Sequence, residues 1–218
     1  MGQQKEIKIK RPHLIMCEGR DAERYLIYFL QPLIIADDRF DKFQVEDVGG
    51  INELPRFVKT LPLLPKFSTV LSSLTIIRDA EKNAQGASQS IQRILRDNNF
   101  ATPIKPCCIA SPTKEEHSVK VSYALFPKFA LDDENGTLED LCLNTLNLTE
   151  RRIRDIAYNA VTQMKTLKRP HKNTLHVCLS LTDEFVGLKI GESAKANAFN
   201  FAANDLAPLR ALLYKMLE

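Results

Sequence analysis

Glu18 closes a short apolar run, His13-Leu14-Ile15-Met16-Cys17, and Gly19, Asp21 and Glu23 follow at once. A second run, Leu74-Thr75-Ile76-Ile77, leads by the same device to Asp79 and Glu81. Carboxylates at the C-terminal ends of two buried strands meet where parallel α/β sheets build their sites. Several of them in one crevice repel each other unless a cation lies between. A hard divalent ion, Mg²⁺ or Mn²⁺, is the usual solution. Glycine directly after Glu18 marks a sharp turn where the backbone can come close to a ligand. Structural duties compete with this chemistry. Asp21 can cap the following helix, Glu23 can sit favourably near its positive end, and Asp79 and Glu81 can do the same for the next helix, with Arg78 as ion-pair partner. These duties explain Glu18 least well, because it ends a strand and does not begin a helix.

One chemistry that such a set could serve is phosphodiester cleavage or transfer. Bound Mg²⁺ polarises a phosphoryl oxygen and stabilises oxyanions. It keeps several waters, so two or three carboxylates suffice, and a nearby unligated Glu can move a proton. Glu18, Asp79 and Glu81 supply that minimum. Other constellations fail. No Walker A sequence and no CxxC occurs, and His13, His117, His171 and His176 are scattered. Ser193-Ala194-Lys195 reads as surface helix, and Gly49-Gly50 as a turn.

The chain has 218 residues, 44% hydrophobic and 26% charged, as an ordinary globular protein does. No stretch approaches the roughly 18 apolar residues of a membrane span, and Gly2 to Glu6 lack the apolar core of a signal peptide. A cytoplasmic location without membrane contact is the expectation. The five cysteines are irregularly spaced and read as reduced thiols, with Cys17, Cys142 and Cys178 as small core residues. Net charge is only +3. Basic residues nevertheless cluster at Lys5, Lys8, Lys10 and Arg11, and again at Lys165, Lys168, Arg169, His171 and Lys172. The second cluster is the candidate nucleic-acid contact, against the simpler alternative of a solvated surface.

The elements that must position these residues alternate. Strands are expected at Leu14 to Cys17, Phe43 to Val48, Leu74 to Arg78, Val119 to Phe126 and Leu175 to Leu181, with a short one near Cys108-Ile109. Helices are expected at Asp21 to Ile35, Ile51 to Leu61, Ala87 to Asn98, Leu138 to Leu146, Thr149 to Thr166 and Asp205 to Leu217. Asp132, Asp133 and Glu134 read as loop. The order predicts an α/β fold with a mostly parallel sheet between helices.

The run Leu14-Ile15-Met16-Cys17-Glu18-Gly19-Arg20-Asp21, with Thr75-Ile76-Ile77-Arg78-Asp79-Ala80-Glu81, resembles the Toprim superfamily, whose strands end in Glu-Gly and Asp-x-Asp. Here Glu81 replaces the final Asp. Tyr123-Ala124-Leu125-Phe126-Pro127, then Asn135-Gly136-Thr137-Leu138-Glu139-Asp140-Leu141, is similar to a small Toprim-like bacterial family of undefined function, the DUF3226 type. The resemblance implies a Rossmannoid core of about four parallel strands, with residues 12–147 as core and 148–218 as a strand–helix extension of one Toprim-like domain over 1–218. It implies Glu18 as acid/base, Asp79 and Glu81 as ligands of Mg²⁺ or Mn²⁺, Asp21 as a supporting or second-metal ligand, and Glu139 as a further metal acid. Glu139 is equally explained as an acid in the first turn of a helix capped by Thr137. The implied activity is a metal-dependent nuclease. Two alternatives stay open: a non-catalytic module that binds nucleic acid or a partner protein, and a protein that binds a metal–nucleotide complex.

Overall fold

The computed structural model describes residues 8–50, 52–129, 135–147 and 152–218. Five strands form one sheet: β1 (His13–Cys17), β2 (Phe43–Asp47), β3 (Ser73–Asp79), β4 (Ile109–Ala110) and β5 (Lys120–Phe126), in the order β2-β1-β3-β5-β4. The first three and β5 are mutually parallel, and only the two-residue β4 runs antiparallel, against β5. Helices among the described residues are α1 (Arg20–Ala36), α2 (Leu54–Thr60), α3 (Phe67–Val70), α4 (Ala84–Asp97), α5 (Leu138–Thr145), α6 (Arg152–Thr162), α7 (Pro170–Ser180), α8 (Ile190–Lys195) and α9 (Ala207–Met216).

The central strands are apolar runs because both faces of the sheet are covered. Side chains alternate across a strand, and the two cores follow that alternation. Ile15, Cys17, Ile77, Ala124 and Phe126 join the side chains of α1, α5, α7, α8 and α9. Leu14, Met16, Leu74, Ile76, Val121, Tyr123 and Leu125 join those of α2 and α4 on the other face. The C-terminal helices therefore share a hydrophobic core with β1, β3 and β5.

One expected element is different. Leu175 to Leu181 is not a strand but most of α7. Its buried positions are Thr174, Leu175, Cys178 and Leu179, a helical spacing, and Pro170 occupies the first turn, where a missing N–H costs nothing. The described part of the C-terminal extension therefore holds helices joined by loops, with one isolated β-bridge of Phe199 to Leu146, and not the expected strand. The helix expected from Ile51 begins at Leu54, with Pro55 in its first turn. The start of the helix expected at Thr149, and Asp132, Asp133 and Glu134, lie outside the described residues.

Candidate functional site

The order in which strands are added reverses at β1: β2 lies on one side of it, and β3 with β5 on the other. Crevices at such switch points, beyond the C-terminal strand ends, are where open α/β sheets bind ligands. Cys17 pairs with Ile77 in the β1–β3 register, so Glu18 and Arg78 come next, at one level and with one parity. Their side chains meet: Arg78 Nε lies 3.9 Å from Glu18 Oε2. Arg78 is 6% exposed, donates from Nε to the Asp79 carbonyl at 3.2 Å, and buries Nη1 without a hydrogen-bond partner among the described residues. Its partner is thus Glu18 of the neighbouring strand.

Asp79 has the opposite parity and turns to the other face, where α5 begins. Its Oδ1 accepts from the Leu138 backbone N–H at 2.8 Å. That contact places an anion at the positive end of the helix. Burial pushes the Asp79 carboxyl up to about 7, with Glu139, Glu18 and Glu81 adding to the rise and the Leu138 N–H opposing it. Glu81 is exposed, in a left-handed backbone conformation (φ 55°), and exchanges two backbone hydrogen bonds with Gly136 at 2.7 and 2.8 Å. Gly136 has φ 147°, and an added Cβ would lie 2.9 Å from both Asp140 Oδ2 and Pro127 Cδ. Only glycine fits where the Glu81 loop crosses the approach to α5. Asp140 Oδ2 accepts from the Thr137 N–H at 2.8 Å, half of a capping box, and leaves Glu139 in the first turn of α5.

One expected structural duty is replaced by another, while Glu23 keeps its place in the first turn of α1 and gains a bond. Asp21 does not cap α1, whose N-cap is Gly19 without a side-chain bond. Its Oδ1 instead accepts from the Gly191 N–H at 3.4 Å. Glu23 Oε1 accepts from the Asp47 N–H at 3.1 Å. Asp47 belongs to the site too, although no motif in the sequence marks it. Its Oδ1 accepts from the N–H groups of Gly19, at 2.9 Å, and Gly49, at 2.7 Å, so it fixes the turn that carries Glu18. The available signal was a third acid at a third strand end, two residues before a glycine.

One cavity of about 1250 Å³ gathers these groups. Glu18, Asp21, Asp79, Glu81 and Glu139 all line it. So do Lys168, Arg169 and Lys172 of the second basic cluster, while Lys165 does not. The two sets touch where α7 starts: His171 Nδ1 lies 2.5 Å from Asp140 Oδ1, and Lys172 Nζ 3.9 Å from Glu139 Oε1. The N-terminal cluster belongs elsewhere. Arg11 pairs with Asp41 at the opposite end of β1, and Lys5 lies outside the described residues.

The donor set suits a hard cation: it is all oxygen, and burial, with the neighbouring carboxylates adding to it, pushes the Asp79 carboxyl up to about 7, a cost that a bound cation would relieve. Among the described residues no three acidic, His or Cys side chains close on a single point as a complete metal cage. An ion held here would use one or two carboxylates and keep waters, as Mg²⁺ does. Asp79, with one oxygen engaged by Leu138, could offer such an ion its other oxygen.

No helix of the described residues is long and apolar enough to cross a membrane. Searches among curated proteins and among solved structures returned no match. The model of one protein family, described as "Protein of unknown function (DUF3226)", matches residues 12–218, which include every strand, every acid and the basic wall of the cavity. The chain belongs to the DUF3226 family.

Proposed function

We propose that this protein uses Mg²⁺ or Mn²⁺ to act on nucleic-acid phosphodiesters, as a nuclease. The observation that carries the reading is the shared cavity: Glu18, Asp79 and Glu81 lie at the sheet's switch point, and Lys168, Arg169 and Lys172 line the same space. A bound divalent ion would supply Lewis-acid polarisation of a phosphoryl oxygen and charge neutralisation. The protein's own groups do the rest. Asp79 and Glu81 would hold the ion, with Asp21 and Glu139 at its margin. Glu18 would move a proton to or from the reacting oxygen. Arg78 holds Glu18 beside a buried positive charge, and Asp47 fixes the Gly19 turn that presents it. Lys168 and Arg169 would hold phosphate.

Titration calorimetry with Mn²⁺ tests the metal half of this reading. Wild type should bind with modest affinity, because the ligands are oxygens and waters. Asp79→Ala should abolish the isotherm, and identical isotherms for the two proteins reject the assignment.

A second reading has its own support. Arg78 is a cation built into the acidic site, and the acids form no complete cage among the described residues. A module that binds nucleic acid or a protein partner without cutting needs no metal cage and is compatible with a cation in the site. In that case the protein should shift nucleic acid in a salt-sensitive gel assay while leaving it intact with either metal.

A further inference from the structure

Six cations line the cavity without an ion pair to any described residue: Arg20, Arg24, Lys82, Lys168, Arg169 and Lys189. They come from separate places. Arg20 and Arg24 are one turn apart on α1, Lys82 follows β3, Lys168 and Arg169 lead into α7, and Lys189 leads into α8. The acids at the strand ends form a floor, and these cations form the walls around it. The one aromatic ring that lines the same space is His171, and it is tied to Asp140. No Phe or Tyr lines the cavity, the chain has no Trp, and none of the undescribed residues is aromatic. The larger apolar lining residues are Pro170, Ile190 and Leu138, the last buried under the Asp79 contact.

Sites that hold single strands by their bases do so with aromatic plates. Arg and Lys grip phosphate, Arg often with two parallel hydrogen bonds. The cavity, about 1250 Å³, also exceeds the roughly 300–1,000 Å³ of a site for one small molecule, which leaves room for several phosphates in a row. Building on the phosphodiester reading above, we propose that the site recognises its ligand through consecutive phosphates and is indifferent to the bases. Cleavage or binding is therefore independent of sequence, and a strand stripped of its bases is as good a ligand as an intact one.

The test is fluorescence anisotropy on the full chain. It uses a labelled single-stranded oligonucleotide and an abasic strand of the same length, in Ca²⁺ to limit cutting. The two affinities should agree within about twofold, whereas each stacked base would contribute about fivefold or more. The triple variant Lys168→Ala/Arg169→Ala/Lys189→Ala should weaken both strands equally. It should also flatten the slope of log affinity against log salt by about 2, because about 0.7 counterion is released per phosphate contact on single strands. All three positions are exposed, so the variant should fold. An abasic strand bound more than about tenfold more weakly would overturn the proposal while leaving the phosphodiester reading in place. A triple variant that binds like wild type would remove the cationic wall as the contact. If neither strand binds wild type, the phosphodiester reading itself falls, and this inference with it.

Discussion

Asp79 carries the most displaced acid in the site, and the displacement has a stability consequence. Its carboxyl is pushed up to about 7 by burial and neighbouring acids, against about 3.9 for an unfolded Asp. Between those values the folded chain holds more protons than the unfolded one, so stability falls as pH rises through that window and levels off above it. In chelator, Asp79→Asn keeps an acceptor for the Leu138 N–H and removes the charge. It should flatten this pH dependence and, at pH about 8, exceed wild type by up to a few kcal/mol. Urea unfolding midpoints at about pH 4.5 and 8 measure it, and parallel curves for the two proteins would contradict the account. Gly136 gives a complementary prediction. Its φ of 147° and the 2.9 Å approaches to Asp140 and Pro127 leave no place for a Cβ. Gly136→Ala should cost about 1–3 kcal/mol and, by shifting the Glu81 loop, weaken Mn²⁺ binding as well.

Elements were legible in the sequence where period and length agreed. β1 and β3 read as strands because Leu14 to Cys17 and Leu74 to Ile77 are short, almost wholly apolar runs, and both strands are buried over nearly their whole length. α1 read as a helix because Ala22, Tyr25, Leu26, Phe29 and Leu30 repeat at helical spacing. The run from Leu175 to Leu181 is ambiguous in sequence, because an apolar stretch of that length fits either a buried strand or one face of a helix; the core it packs against decides for the helix, and that is tertiary information. Glu18 and Asp79 were legible as a pair, since each ends a buried strand. Their contacts were not: the link of Glu18 to Arg78 and of Asp79 to Leu138 depends on register and on where α5 begins. Asp47 shows the cost of the same blindness. It joins the end of β2 to the Gly19 and Gly49 turns through two hydrogen bonds. Asp47→Ala strands both N–H groups and should destabilise by about 1–3 kcal/mol. Asp47→Asn keeps an acceptor and should recover much of the loss by thermal unfolding. Equal loss in the two variants would mean that the charge matters and the hydrogen bonds do not.

At the scale of the whole molecule, the C-terminal helices give the crevice its second wall. The strand ends supply acids, and the approach to α7, more than 80 residues beyond Glu81 in the chain, supplies Lys168 and Arg169 to the same cavity. Charge composition hides this arrangement. A net charge of +3 averages an acidic floor against basic walls, and only folding brings the two to one place. The central claim is that this place performs metal-dependent phosphodiester chemistry with Glu18 as the proton-transferring group. The most direct measurement is cleavage of labelled single- and double-stranded DNA and RNA by wild type, Glu18→Gln and Glu81→Gln, each with Mg²⁺ and with Mn²⁺. The account predicts metal-dependent cutting by wild type and a loss of about two to four powers of ten in Glu18→Gln. Glu81→Gln should lose less and be partly restored by excess Mn²⁺. A wild type that cuts none of these strands with either metal, or a Glu18→Gln protein that cuts as fast as wild type, would contradict it.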